Sequence, residues 1–172
     1  MQKILGAVFI ITGCIGMGYF YIEKEKQKIY FAQMWDDILS IFLNEISYKK
    51  QSLPFATYEI GQKLAGEEAR CFRKIYDRMM DQNREGFSNI WIDEWEKYSK
   101  KNKIAYKEKK LIKEFAYVTA FDDKEILVKV IEEQQKKWRN LRMEIVEGQQ
   151  ERKKIVWTLS VCFSLMLILI LI

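Results

Sequence analysis

Acid–base, thiol and metal chemistry all lean on histidine, and this chain has none. Its absence removes the usual general base at neutral pH and the commonest metal ligand. Cys14, Cys71 and Cys162 each lack the imidazole that would activate a thiol, and the Ser and Thr hydroxyls lack it too. The carboxylate pairs Asp36-Asp37, Asp122-Asp123 and Glu132-Glu133 lack the Glu-x-x-His partners of a four-helix metal centre. They read as solvated faces or as charges at helix N-termini. Gly61 and Gly66 have the spacing of a phosphate-binding loop. However, Glu67-Glu68 follows where Lys-Ser/Thr is required, and two carboxylates repel phosphate. No catalytic residue, cofactor-binding residue or metal ligand is assigned, and the chain reads as a non-enzyme.

Three sets of residues keep a binding role in view. Trp91, Trp95 and Tyr98 form an aromatic stripe at helical spacing, with Ile92 beside it. Such a stripe is core, or, where one face stays exposed, an anchor for another protein. Lys100, Lys101, Lys103, Lys107, Lys109 and Lys110, with a pI near 9.0, could argue for nucleic acid. Acids are interleaved elsewhere and the net charge is only +5, so no nucleic-acid partner is expected. Lysines beside anionic lipid are the simpler account. Gly6, Gly13 and Gly16 let a second helix approach closely, which marks them for membrane-helix packing and permits a homo-oligomer.

The elements that would position these residues follow from length and charge. The chain has 172 residues, 49% hydrophobic and 31% charged, which excludes a disordered chain, a multidomain protein and a disulfide scaffold. Apart from Lys3, every charged side chain lies in residues 23–154, leaving that region one unit short of the chain's +5, at +4. Residues 4–22 (ILGAVFIITGCIGMGYFYI) and 155–172 (IVWTLSVCFSLMLILILI) are uncharged. A bilayer core takes about 20 apolar helical residues, so each run reads as a transmembrane helix. Three units are expected: a first transmembrane helix at 1–22, a helical bundle domain at 23–154 and a second transmembrane helix at 155–172.

Basic residues flanking a span stay on the cytoplasmic side. Lys24, Lys26 and Lys28 follow the first run, and Arg152, Lys153 and Lys154 precede the second. The expectation is a double-pass protein of the cell membrane, in contact with lipid, with its middle domain cytoplasmic. The alternative is an extracytoplasmic membrane-tethered adaptor or lipoprotein. Ile11-Thr12-Gly13-Cys14 is similar to a lipoprotein cleavage box, which would make Cys14 the lipidated residue. Against it, the apolar run continues past Cys14 through Ile22.

The middle region reads as helices throughout, giving an all-α, antiparallel helical bundle between the two membrane helices. Residues 23–48 hold neither Gly nor Pro, and Phe31, Trp35, Ile38, Phe42 and Ile46 recur at three- and four-residue steps, with Met34, Ile41 and Tyr48 widening the face. This helix should continue directly from the first apolar run. Pro54 fits the first turn of a second helix over 54–64. A third is expected over 67–82, with Phe72, Ile75, Tyr76 and Met79 inward. Ser88 is placed as the cap of the fourth. A turn is expected within residues 100–110. Leu111, Phe115, Val118 and Phe121 should face inward on the fifth helix, and Asp122-Asp123 should open the last. Leu127, Ile131, Gln134, Trp138, Leu141, Ile145 and Gly148 form a heptad-like seam on that helix, expected to run unbroken into the second apolar run.

Three features then occur in order: Lys3-Ile4-Leu5-Gly6-Ala7-Val8-Phe9-Ile10, Leu43-Asn44-Glu45-Ile46-Ser47-Tyr48 followed by Leu53-Pro54-Phe55-Ala56, and a basic-then-aliphatic terminal anchor. Together they resemble stage III sporulation protein AB of endospore-forming Firmicutes over nearly the whole chain. The chain departs from that pattern at Val118-Thr119-Ala120, where Leu-Gly is expected, and at Leu127-Val128, where relatives carry Gln. The resemblance implies likeness to the platform protein F of type II secretion and type IV pilus machines. It also implies a non-enzymatic platform or assembly component of the mother cell–forespore channel, a secretion-like apparatus required for endospore formation. The implied place is the mother-cell side of the forespore outer membrane. The implied partners are other sporulation-channel proteins, including a cytoplasmic ATPase, stage III sporulation protein AA. No catalytic residue is carried over.

Overall fold

The structure, a computed structural model, describes residues 2–81, 85–118 and 124–171; in the two terminal stretches it describes only some side chains. The described elements are helical, with no strand among them: α1 (Gln2–Leu43), a π-helical turn (Asn44–Tyr48), α2 (Leu53–Lys63), α3 (Gly66–Met80), α4 (Phe87–Asn102), α5 (Tyr106–Val118) and α6 (Lys124–Leu171). The all-α expectation holds. Contacts divide the chain into two units, Met1–Phe31 with Leu141–Ile172, and Ala32–Asn140.

Local chemistry sets the helix ends in the second unit. With no Gly or Pro between Glu23 and Tyr48 to stop it, α1 runs on until the π-helical turn, whose Asn44 carbonyl accepts from Lys49 N–H at 3.2 Å. Pro54 occupies the first turn of α2, where its missing N–H has no helical partner to lose. Gly66 opens α3 with φ +77, left-handed backbone that suits glycine. Glu67 and Glu68 then lie in the positive first turn of α3. Lys103 ends α4 in the left-handed conformation, with Ile104 N–H closing on Ser99 O at 3.3 Å.

From α2 to α5 each helix packs on its successor. Gly61 lies inside α2 against α3, where an added Cβ would come within 3.2 Å of Arg73 Cγ and 3.4 Å of Phe72 Cβ. The α1 and α6 portions of this unit run antiparallel. Ser40 Oγ meets Gln135 Nε2 at 2.7 Å, and Asp36 Oδ1 accepts from Arg139 Nε at 2.9 Å. The seam of α6 is buried as expected at Ile131, Gln134 and Trp138. Trp35, Ile38 and Phe42 of α1, with Phe72 and Ile75 of α3, are likewise fully buried.

Three expectations require correction. Ser88 does not cap α4: Gly86 is the capping residue, and Ser88 Oγ instead donates to the Ala116 carbonyl of α5 at 2.6 Å. On α5 the inward face is Ile112, Phe115 and Ala116, whereas Leu111 is only half-buried. The rotation follows from α4, whose Trp91 donates its indole N–H to the Ile112 carbonyl at 2.8 Å and packs its ring on Phe115 at 4.9 Å. The Val118 side chain, Thr119, Ala120, Phe121 and Asp122-Asp123 lie outside the described residues. Tyr48, placed on the buried face of α1 by its spacing, is 82% exposed because the π-helical turn shifts the register after Leu43.

The first unit holds the apolar runs. Both are helical, in α1 and α6, and most of their side chains lie outside the described residues. Among the described residues, no helix is long and apolar enough to cross a membrane. Those side chains that are described include Ile155, Leu159 and Met166, all exposed.

Candidate partner-binding site

The Trp91, Trp95 and Tyr98 stripe is core. Trp91 is fully buried, Trp95 is 2% exposed and Tyr98 9%. Trp95 packs against Trp35 with ring centroids 4.9 Å apart, Phe72 meets Trp91 edge-on at 5.8 Å, and Tyr98 meets Trp95 edge-on at 5.0 Å. Contacts of this kind contribute about 0.5–1.5 kcal/mol each beyond the area they bury. The face offered for a partner is therefore closed by the rest of the domain. The Tyr98 hydroxyl donates to Glu68 Oε1, and burial holds its pKa well above the ordinary phenol range.

Gly13 and Gly16 are exposed, and a Cβ added to either would meet nothing within 4 Å. Gly6 and Cys14 have side-chain positions outside the described residues.

Two grooves flank α4 instead. The first, about 180 Å³, lies between α4 and α5. Its inner wall is Trp91, Trp95 and Ile112, all buried. Lys100, Lys109, Lys113 and Glu96 stand on its rim. Lys113 Nζ donates to Glu96 Oε1 at 2.6 Å, which holds the Glu96 carboxyl below its usual range and the Lys113 ammonium above its own. Lys100 and Lys109 make no salt bridge among the described residues. The Trp95 indole N–H is buried without an acceptor.

The second groove, about 210 Å³, lies between α3 and α4 and is more self-compensated. Lys101 pairs with Glu67, and Lys97 Nζ donates to Glu94 Oε1 at 3.0 Å. Cys71 lines it, but burial pushes this thiol up to about 12, so it is protonated and inert as a nucleophile near neutral pH. At the edge of α4, Arg78 holds Asp93 at 2.5 Å, Glu94 at 2.7 Å and Glu85 at 2.6 Å, pinning the segment before α4 to both helices.

Of the adjacent carboxylate pairs, those described have structural partners or solvent. Asp36 takes Arg139, Asp37 accepts from Gln33 at 3.2 Å, and Glu132 and Glu133 are exposed. No group of metal-ligating side chains gathers among the described residues.

Two features escaped the sequence reading. One is Glu45, fully buried in the π-helical turn, with Lys49 at 2.8 Å and Lys63 at 3.7 Å on Oε1 and no partner on Oε2. Its only signal was its place inside an apolar helix face. The other is the α4–α5 groove, since Lys109 and Ile112 carry no mark that places them beside Trp95.

A search of curated proteins and a search of solved structures each find no match. The family model described as stage III sporulation protein AB matches residues 3–172, essentially the full chain. With that match, the helical order around Pro54 and the two apolar helical ends belong together, and the chain belongs to the stage III sporulation protein AB family.

Proposed function

We propose that this sporulation protein acts as a non-enzymatic membrane platform in the mother cell–forespore channel. In this reading it holds a cytoplasmic ATPase, stage III sporulation protein AA, and other channel proteins in place. One observation carries the reading: α1 and α6 leave the Ala32–Asn140 unit side by side and antiparallel, tied by Asp36–Arg139 and Trp35–Trp138. Both chain directions out of the domain therefore start from the same end, and each leads in sequence into an apolar run. Two anchors entering one membrane face require that arrangement. The exposed apolar side chains Ile155, Leu159 and Met166, spaced along one face of α6, suit lipid rather than water. The basic flanks place the domain in the cytoplasm on this reading.

The test is co-purification of the full-length chain with the ATPase from membranes of sporulating cells, together with the sporulation frequency of a deletion strain. Recovery of the ATPase with the chain and loss of spores on deletion are expected. No ATPase in the complex and normal sporulation in the deletion strain would overturn the proposal. An alkaline phosphatase fusion after Ile172 should be active, and an inactive fusion would reverse the topology.

A further inference from the structure

Between Glu96 and Glu108 the sequence carries Lys97, Lys100, Lys101, Lys103 and Lys107 and no acid. These residues end α4 and open α5. Lys97 turns back onto Asp93 and Glu94, Lys101 meets Glu67, and Glu108 is buried. Lys100, Lys103 and Lys107 stand exposed, and Tyr106 among them is 81% exposed. Ring contacts fix where this turn lies in the Ala32–Asn140 unit. Phe42 of α1 meets Trp91 at 6.3 Å, and Trp35 meets Trp95 at 4.9 Å, so α4 runs antiparallel to α1. Trp138 stacks at the same level as Trp35. Asn102 and the turn therefore lie at the end of the unit where α1 enters and α6 leaves. Tyr117, also exposed, lies toward the opposite end, because Phe115 meets Phe42 at 5.1 Å.

We propose that the α4–α5 turn is a peripheral contact with anionic lipid, Tyr106 entering the headgroup region and Lys100, Lys103 and Lys107 meeting lipid phosphates. The proposal rests on the two-anchor reading above, in which this end of the domain faces the bilayer. Charge and continuity select lipid. On that reading, the stretch 23–31 between the first apolar run and Ala32 spans about 14 Å as a helix, which keeps this end close to the headgroups. A tyrosine suits the interface, with an apolar ring and a polar hydroxyl, and lysines on flexible stems reach phosphate around it. Two anchors alone leave a domain free to swing about the line joining them. A third contact removes that freedom.

The experiment uses the full-length chain with Cys14→Ser/Cys162→Ser and either Tyr106→Cys or Tyr117→Cys, labelled with a nitrobenzoxadiazole fluorophore. Cys71 is buried and stays unlabelled. Each chain is reconstituted in nanodiscs carrying nitroxide-headgroup lipid, made of phosphatidylcholine alone or with added phosphatidylglycerol. With phosphatidylglycerol, the label at 106 should shift its emission to the blue and be quenched by the nitroxide, and the label at 117 should show neither. Quenching at 106 should weaken in phosphatidylcholine alone. Lys100→Gln/Lys103→Asn should lower the ratio of docked to undocked turn about tenfold or more, since each lysine near such a surface is worth about fivefold. Asn tolerates the left-handed backbone of Lys103, so circular dichroism melts should match the parent. Equal quenching at 106 and 117, or quenching at 106 indifferent to lipid charge and to the two substitutions, would overturn the proposal. Protection of the label at 106 from aqueous iodide by an added channel protein, and not by lipid, would give the turn to a protein and overturn it too. A chain retained in the discs but unquenched at 106 would overturn this contact alone, whereas a chain that the discs fail to retain would overturn the two-anchor reading with it.

Discussion

Trp35 and Trp138 lie face to face, ring centroids 5.1 Å apart and planes 5° from parallel. They come from α1 and α6, so the stack joins the first and last helices of the Ala32–Asn140 unit. Trp35 also touches Trp91, Trp95 and Phe72, which makes it the meeting point of α1, α3, α4 and α6. Trp138→Ala should cost about 3–5 kcal/mol, the range for deleting a large buried side chain. Trp138→Phe keeps a ring and should cost less. Chemical unfolding followed by tryptophan fluorescence measures both, and equal costs would show that the stacked geometry contributes nothing.

Glu45 is wholly buried, whereas its partners Lys49 and Lys63 are about half exposed. The hydrogen bond to Glu45 raises the pKa of Lys49. Removing the cations therefore strands a buried charge, while removing the carboxylate frees two lysines that water already reaches. Lys49→Met/Lys63→Met should destabilise the protein, and adding Glu45→Gln should recover part of that loss. A triple variant no more stable than the double would show that Glu45 is not the stranded group.

Cys71 should resist alkylation in the native protein. Its pKa, raised by burial to about 12, leaves almost no thiolate at pH 8, and the group is 6% exposed. The same thiol in the unfolded chain provides the reference. Iodoacetamide at pH 8 followed by peptide mapping should leave Cys71 unmodified until denaturant is added. Labelling of Cys71 at the same rate with and without denaturant would contradict the packing described.

The Arg78 cluster makes stability depend on acid. Hydrogen bonds from Lys97 and then Arg78 hold Asp93 below its ordinary pKa. A carboxylate with a lowered folded pKa contributes stability that is fully present above its unfolded value, near 4, and that is lost as pH falls through the folded value. Arg78→Met should therefore lower the melting temperature most at pH 7, and the gap to the parent should narrow as pH falls below about 4. Because Asp93 is substantially exposed, the effect should be a few degrees at most. A gap that persists unchanged at pH 3 would trace the loss to packing rather than charge.

Every helix of the domain was legible in order, because the signals are local. Apolar steps of three and four, Pro54, Gly66 and the absence of Gly and Pro over residues 23–48 act within a few residues of one another. The seam of α6 was legible for the same reason. The cap at Ser88 was misplaced because only the presence of α5 offers its hydroxyl the Ala116 carbonyl as an acceptor. On α5 Phe115 was placed inward correctly, but Ile112 takes the place expected of Leu111, since Trp91 and Phe42 decide it and both lie on other helices.

The sequence by itself determined the all-α class, the helix order, the two apolar runs and the family. Only the tertiary structure decided that Trp91, Trp95 and Tyr98 face inward, that Glu45 is buried, and that Lys100 and Lys109 share a rim above an apolar recess. Periodicity reports that a helix has an apolar face but not what will cover it. Trp35 of α1 and Phe72 of α3 cover the α4 face from distant parts of the chain.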